Sequence, residues 1–188
     1  MILWTRSCHN TTSIASAHFS VGGRFLFSGV QLLLMQKEIK TLVELEEETV
    51  RFARGLVPSG NQATLVTLSG ELGAGKTAFA KAVAHALGIE EVVTSPTFVL
   101  EKIYPVRKLE DSHSNGASLL FKCLVHIDAY RLEKGADLAP LGFSELMKDS
   151  GNLILLEWPE KVRNALPTPT VRISFVANPD GSRTIFYG

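Results

Sequence analysis

One stretch constrains this chain more than any other: residues 70 to 77 read G-x-x-x-x-G-K-T, as Gly70, Glu71, Leu72, Gly73, Ala74, Gly75, Lys76 and Thr77. An apolar run over residues 63–69 precedes it and predicts a buried strand. A helical pattern over residues 77–87 follows it. In this strand–turn–helix context, the glycines let successive backbone N–H groups face an anion, and the helix N-terminus adds its positive end. The stretch therefore predicts a phosphate-binding loop.

The loop predicts separate roles for its last residues. Lys76 is placed to reach the outer phosphates of a nucleotide, and the Thr77 hydroxyl is placed to ligate Mg²⁺. Ala78 belongs to the first helical turn, where backbone N–H groups have no partner within the helix. We therefore expect residues 70–78 to form the nucleotide-binding segment.

Composition limits the classes of protein to which this chain can belong. At 188 residues and 45% hydrophobic content, the chain is long enough for one α/β domain with a full core. No apolar stretch reaches the length needed to span a bilayer, so no membrane partner is expected. The two cysteines, Cys8 and Cys123, lie far apart without metal-ligand spacing. This argues for a reducing compartment and against a thiol-ligated zinc site.

Charge is distributed unevenly along the chain. Residues 1–37 contain three basic residues, Arg6, Arg24 and Lys37, and no acidic residue. The remainder holds 16 of the 19 basic residues and all 19 acidic ones, and so lacks the basic footprint that grips a nucleic-acid backbone. If nucleic acid is involved, we expect another component to hold it.

The first 36 residues differ from the rest, being rich in Ser and Thr and free of acids. They resemble an organelle transit peptide, which would direct the chain to a mitochondrion or plastid. A second interpretation is a non-native extension with Met35 as the true start, and a third is an ordered extension. Without a transit peptide the expected location is the cytoplasm. The predicted domains are this extension and an ATPase domain over residues 37–188.

The first residues of the predicted domain have two interpretations. Residues 37–43 alternate weakly and predict a short strand, with a helix opening at Glu46-Glu47-Glu48. Alternatively, Thr41 and Glu44 form a capping box that starts the helix earlier. We favour the strand.

Further elements follow from apolar runs and turn signals. Strands are predicted over residues 98–104, 119–127 and 152–156, and short helices over 142–148 and 159–164, with an exposed loop over 106–117. Residues 171–176 and 184–187 predict a hairpin around the turn 178–181. The predicted fold class is α/β: a single P-loop NTPase-like domain whose central sheet is flanked by helices, with a C-terminal β-hairpin.

Two carboxylates complete the predicted site. Asp128 and Glu157 are each the first charged residue after an apolar strand, and the carboxyl ends of such strands meet at one edge of a sheet. Both can serve a hard ion such as Mg²⁺, and which of them ligates it directly is left open. Pro96 forces Ser95 into an extended conformation, so the hydroxyl of Thr97 is placed to sense a γ-phosphate or its Mg²⁺.

Other side chains near these acids have simpler interpretations. His126 is predicted to be a hydrogen-bonded core histidine. Trp158 either covers the nucleotide pocket or packs beneath it. Tyr130 and Arg131 are candidates for binding a partner or fixing a loop.

The order and spacing of these motifs resemble the TsaE family, small P-loop ATPases of bacterial-type tRNA threonylcarbamoyladenosine (t6A) synthesis. Besides the phosphate loop, the resemblance rests on the segments Ser95-Pro96-Thr97, His126-Ile127-Asp128-Ala129-Tyr130-Arg131, Leu141-Gly142-Phe143 and Glu157-Trp158-Pro159. It covers about residues 38–188. The phosphate loop alone is generic, whereas the combination is specific.

The resemblance implies a slow ATP hydrolase that uses Mg²⁺ and acts with a TsaD-type transferase, often with a TsaB-type scaffold. This complex would transfer threonylcarbamoyl to the tRNA adenosine beside the anticodon, so the chain would meet tRNA only through the complex. The roles carried over by motif are phosphate binding by Lys76, Mg²⁺ binding by Thr77 and Glu157, support of the catalytic centre by Asp128, a switch-like position for Thr97, and proximity to the nucleotide for Trp158, Thr49 and Arg183.

The chain departs from the family pattern at two places. Glu71 stands where the family usually has Asp, and we expect this to be harmless. The insertion around residues 106–120 is longer than in a compact member, which bears on partner docking at that side.

Two other functions compete with this interpretation. A small-molecule P-loop kinase would need an acceptor pocket and usually a lid with several arginines, and the sequence after the loop has no such cluster. A nucleotide-bound interaction module would not need Asp128 and Glu157. A GTPase would show N/T-K-x-D for guanine, which does not occur, so adenine is favoured.

Overall fold

The computed structural model describes residues 35–106 and 120–188, and in them the chain forms one sheet with helices on both faces. The strands are β1 (Met35–Ile39), β2 (Thr64–Gly70), β3 (Glu101–Pro105), β4 (Cys123–Asp128), β5 (Asn152–Glu157), β6 (Val171–Ala177) and β7 (Arg183–Tyr187). The α-helices are α1 (Leu42–Gly55), α2 (Lys76–Ala86) and α3 (Phe143–Lys148). Three 3₁₀ turns cover Gly135–Leu141, Pro159–Lys161 and Arg163–Ala165.

The sheet is mixed, with seven strands in the order β1-β7-β6-β2-β5-β4-β3. Its four central strands, β6, β2, β5 and β4, are parallel, and the outer strands β3, β7 and β1 pair antiparallel. The expected α/β fold is therefore confirmed, and β6 and β7 form the expected C-terminal hairpin. The carboxyl ends of the central strands lie at one edge of the sheet, and this is the edge where the sequence predicts that the ligand binds.

Each face of the sheet has its own apolar core. Helices α1 and α2 cover one face, where Phe52 and Phe79 pack against Leu68, Leu155 and other strand residues. The first 3₁₀ turn and α3 cover the other face, around Ile127, Leu156 and Phe143. The central strands are thus buried on both sides, which explains why they read as continuous apolar runs.

The entry into the domain differs from the favoured prediction. The strand spans residues 35–39 rather than 37–43, and α1 begins at Leu42 rather than at the acidic run. Thr41 is the N-cap: its Oγ1 accepts the N–H of Glu44 at 3.1 Å, and the Glu44 carboxylate accepts the N–H of Lys40 at 2.8 Å. The Thr41 hydroxyl satisfies one free N–H group of the first turn, that of Glu44, so the alternative of an earlier helix start is correct. The reciprocal bond of the predicted capping box is not formed, because the Glu44 carboxylate accepts the N–H of Lys40 rather than that of Thr41.

Three other predicted boundaries are also wrong. The strand expected over residues 119–127 begins at Cys123 and ends at Asp128. The strand expected from Phe98 begins at Glu101, because residues 96–100 form a turn in which Leu100 has a positive φ of 67°. The helix expected after Pro159 is two separate 3₁₀ turns.

Some predictions concern residues outside the described ranges. The transit-peptide interpretation concerns residues 1–34 almost entirely, and the exposed loop and insertion fall largely within 107–119. The sheet itself includes Met35 and Gln36, which pair with Tyr187 and Phe186, so it starts two residues before the predicted boundary. Among the described residues, no helix has both the length and the apolarity to cross a bilayer.

Candidate nucleotide site

The glycine-rich turn joins the carboxyl end of β2 to the start of α2. Gly70 has a φ of 139°, and a Cβ there would lie 2.5 Å from the carbonyl oxygen of Phe175 on β6. Gly75 caps α2 with a φ of 112° and offers no side-chain hydrogen bond to the helix. Only glycine fits the close approach at the first position, and the second leaves the amides at the start of the helix open to a ligand.

A cavity of about 370 Å³ lies at this edge of the sheet. It combines the loop and the first turn of α2 with the carboxyl ends of β4 and β5. The residues that line it are Leu72, Gly73, Gly75, Lys76, Thr77, Ala78, Ser95, Thr97, Asp128, Tyr130, Glu157 and Trp158. The helix N-terminus and the lysine give part of this wall a positive potential, which suits the phosphates of a nucleotide.

Lys76 is held inside the turn. Its Nζ donates to the carbonyl oxygens of Gly70 at 2.7 Å and Glu71 at 2.8 Å, and it lies 3.8 Å from the ring centroid of Trp158. Burial lowers the pKa of the Lys76 ammonium from its ordinary value, and the neighbouring carboxylates, Glu157 foremost, partly oppose this shift. Burial costs the Lys76 ammonium part of its hydration, and an anionic ligand would compensate by interacting with its positive charge.

Glu157 joins three elements in one hydrogen-bonded group. Thr77 Oγ1 donates to its two carboxylate oxygens at 2.9 and 3.1 Å. His126 Nε2 lies 2.8 Å from Oε1 on the side of β4. The Glu157 side chain is almost fully buried, so the carboxylate depends on these protein contacts rather than on bulk water.

Asp128 is directly opposite Glu157 in the pairing of β4 and β5, and it faces a different partner. Its carboxylate accepts a hydrogen bond from Thr97 Oγ1 and the backbone N–H of Tyr130, the latter at 3.0 Å. Thr97 also contacts the hydroxyl of Ser95 at 2.6 Å. The acid therefore ties the loop 95–97 to the carboxyl end of β4.

Two aromatic rings close the cavity above the lysine. Trp158 and Tyr130 have ring centroids 5.0 Å apart with an angle of 52° between their planes. Trp158 has a positive φ of 59°, which is uncommon for a residue with a large side chain. This backbone conformation turns the chain directly after Glu157 and brings the indole ring over Lys76.

The structure brings most of the predicted site residues together, but not all of them. Gly70, Glu71 and Ala74 belong to the turn without lining the cavity. Thr49 is fully buried on α1 and Arg183 donates to carbonyls of its own hairpin, so neither contributes to the cavity wall. Their predicted proximity to the nucleotide stays a prediction.

Sequence reasoning did not assign two contacts. The cavity role of Tyr130 follows from its position two residues after Asp128, where the chain leaves the strand. The contact of His126 with Glu157 depends on the register of β4 against β5, which no local pattern encodes.

The donor set fits Mg²⁺. The residues present offer hard oxygen donors, namely the hydroxyl of Thr77 and the carboxylates of Glu157 and Asp128. Within residues 35–106 and 120–188, no group of three or more His, Cys, Asp or Glu side chains forms a metal cage.

A G-x-x-x-x-G-K-T turn between a parallel strand and a helix, with acids at the carboxyl ends of the next two strands of the sheet, β5 and β4, defines the class of P-loop α/β proteins. The family model for "Threonylcarbamoyl adenosine biosynthesis protein TsaE" matches residues 43–185. The chain therefore belongs to the TsaE family of t6A biosynthesis proteins.

Individual relatives agree with this assignment. A tRNA threonylcarbamoyladenosine biosynthesis protein TsaE from Treponema pallidum is 35% identical over 139 residues, which cover 74% of this chain and 92% of that protein. The protein of the same name from Bacillus subtilis is 32% identical over 151 residues, covering 80% and 85%. The crystal structure of Bacillus subtilis YdiB superposes with a TM-score of 0.62 at 27% identity, covering 82% of this chain and 84% of that one.

Proposed function

We propose that this chain is a Mg²⁺-dependent ATPase that supports threonylcarbamoyl transfer to the tRNA adenosine beside the anticodon, acting with a TsaD-type transferase. The observation that carries the ATPase proposal is the contact of Thr77 with Glu157 beside Lys76 at the mouth of the glycine-rich turn. This arrangement matches what a nucleoside triphosphate with its metal ion requires. Membership of the family supports the transferase and a TsaB-type scaffold as partners.

The residues of the site divide the work between binding and positioning. Lys76 and the amides at the start of α2 would bind the phosphates, and Thr77 and Glu157 would hold Mg²⁺. Bound Mg²⁺ would neutralise the charge that develops on the γ-phosphate. Asp128, together with Thr97, would position the attacking water at the phosphate. Hydrolysis then depends on positioning and charge, which is consistent with slow turnover without a partner.

The surface around the cavity supports action through a protein partner. Phe98 and Leu72 are 82% and 79% exposed, and one follows Thr97 while the other lines the cavity. Large exposed apolar side chains beside a ligand site are typical of a protein contact surface. The slightly acidic balance of the domain fits tRNA recognition by another subunit.

The test is Mg²⁺-dependent ATP hydrolysis by the full chain, measured with and without a purified TsaD-type transferase. We expect hydrolysis to rise on addition of the transferase and to be lost in Lys76→Ala, which lacks the phosphate-binding charge. Lys81→Ala removes an exposed lysine from the same helix and is the matched control. Hydrolysis that ignores the transferase, or that needs a small acceptor molecule, would overturn the proposal in favour of a small-molecule kinase.

A further inference from the structure

A buried histidine that the proposed mechanism does not use lies behind the carboxylate of Glu157. His126 is fully buried and does not line the cavity, so it cannot contact a nucleotide there. Its Nε2 is 2.8 Å from Glu157 Oε1. We propose that His126 is a positioning residue that orients the Glu157 carboxylate toward Thr77 and the metal ion; this inference rests on the proposed ATPase function.

The sheet register brings His126 to this place. His126 pairs with Leu155 and Asp128 pairs with Glu157, so the histidine and the glutamate are diagonal neighbours on one face of adjacent parallel strands. This is the face covered by α2, whose first turn carries Thr77. The glutamate therefore receives one hydrogen bond from the strand behind it and another from the helix in front of it.

The surroundings of the ring define which nitrogen carries the hydrogen. Nδ1 is buried and has no hydrogen-bond partner among the described residues. A hydrogen on Nδ1 would be a buried, unsatisfied donor, and the lone pair of Nε2 would then face the carboxylate oxygen. A hydrogen on Nε2 avoids both costs, because Nε2 donates to Glu157. We assign this tautomer.

The consequence for the carboxylate is geometric. A Glu side chain has several rotatable bonds, and a metal contact requires it to occupy one orientation. Thr77 Oγ1 lies 2.9 and 3.1 Å from the two carboxylate oxygens of Glu157. Because it contacts both oxygens, this bond alone does not fix the rotation of the carboxylate plane. The bond from His126 to Oε1 fixes that rotation, so loss of His126 should weaken the use of Mg²⁺ rather than the binding of phosphate.

Two substitutions separate the donor from the bulk of the ring. His126→Gln places an amide N–H near the position of Nε2, whereas His126→Asn places it near the position of Nδ1, out of reach of Glu157. Leu155→Val is the structural control, because Leu155 is fully buried opposite His126 and donates nothing to the carboxylate. The full chain of each variant is checked first for cooperative thermal unfolding.

The experiment measures ATP binding by calorimetry without Mg²⁺, and then the Mg²⁺ concentration that half-saturates its effect on ATP affinity. We expect His126→Asn to raise the half-saturating Mg²⁺ concentration roughly tenfold or more, as the loss of hydrogen-bond partners to metal ligands does. His126→Gln should stay within about threefold of wild type, and Leu155→Val within about twofold. ATP affinity without Mg²⁺ should change less than about twofold in all three.

The outcomes separate this inference from the proposed function. A wild-type chain whose ATP binding ignores Mg²⁺ would overturn the proposed function and this inference with it. A Mg²⁺-dependent wild type with an unchanged His126→Asn would overturn the positioning role alone.

The wild-type chain supplies a measurement that does not depend on variants folding. ¹⁵N NMR of the imidazoles should show one buried ring with a slowly exchanging hydrogen on Nε2. A buried ring protonated at Nδ1 would contradict the assignment.

Discussion

Individual side chains at the cavity edge show how two acids on adjacent strands acquire different roles. Glu157 contacts the hydroxyl of Thr77, whereas Asp128 contacts Thr97 and the turn after β4. The sequence left open which acid ligates the ion. These contacts favour Glu157 for the metal and Asp128 for the loop 95–97.

This division leads to a paired prediction. Glu157→Ala should keep ATP binding in the absence of Mg²⁺ and lose its enhancement by Mg²⁺, because the ion loses a carboxylate ligand. Asp128→Ala should keep the enhancement and lower turnover at least about tenfold, as the loss of a positioned catalytic group does. Calorimetric binding and steady-state turnover of both variants measure this. Undiminished hydrolysis in Glu157→Ala would disprove the assignment.

Lys76 should make ATP binding sensitive to alkaline pH. Burial holds its pKa below the ordinary value of 10.5, and phosphate binding needs the ammonium form. Affinity should therefore fall by up to about tenfold per pH unit once the pH passes the pKa of the free protein.

The same shift has the opposite sign for folding. The unfolded chain keeps this proton up to about the ordinary pKa, while the folded chain releases it earlier. In that interval the unfolded state binds more protons, so this group's contribution to stability rises with pH.

Titration calorimetry from pH 8 upward tests the predicted fall in ATP affinity, with Lys81→Met as the control. Constant affinity up to the ordinary pKa would contradict the prediction.

Secondary-structure elements were predictable where one local pattern decides them. The carboxyl ends of β4 and β5 were placed correctly because an apolar run ends at a single charged residue in each. The phosphate loop and α2 followed from the glycines and the helical stripe. Each of these signals lies within one short stretch of sequence, and the packing of the folded chain favours the same element that the stretch itself favours.

Other features depend on interactions that no single stretch reveals. The start of α1 was missed because the cap at Thr41 competes with a weak strand pattern, and the side-chain bond decides the outcome. The pair of His126 and Glu157 requires a long-range parallel register. The turn at residues 96–100 requires a positive φ at Leu100, which its residue type disfavours.

The contact between β2 and β6 predicts a specific need for glycine at residue 70. In Gly70→Ala, the new Cβ would meet the backbone oxygen of Phe175, and the positive φ would add strain. Gly60→Ala is the matched control, because its φ is also positive and nothing lies within 4 Å of the new Cβ. We expect Gly70→Ala to cost at least about 1 kcal/mol more than the control.

Thermal unfolding measures this difference. A cost of 1 kcal/mol corresponds to about 2–4 °C in Tm for a chain of this size. Weaker ATP binding should accompany it, because the turn carries the carbonyl that holds Lys76. Equal Tm values for the two variants would contradict the prediction, because they would mean that β6 moves away from the new Cβ without loss of stability.

For the molecule as a whole, the proposed function requires the cavity to respond to a second protein. Phe98 is the most exposed of the large apolar side chains near the cavity. Its ring centroid lies 4.4 Å from the guanidinium carbon of Arg131. It directly follows Thr97, which is bonded to Asp128. A partner that covers Phe98 would therefore act on the loop that is hydrogen-bonded to Asp128, the carboxylate proposed to position the attacking water.

Phe98→Ala should reduce stimulation of hydrolysis by the transferase at least about fivefold, as the loss of a buried aromatic anchor at an interface does. Unstimulated turnover should stay within about twofold, since the ring does not line the cavity. Val57→Ala is the control, because Val57 is exposed and precedes β2, at the opposite edge of the sheet. Turnover against transferase concentration separates the effects: a raised half-maximal concentration with normal basal turnover supports contact at this surface. Equal stimulation of both variants would place the partner elsewhere, and parallel loss of basal turnover would make Phe98 part of the ATP site.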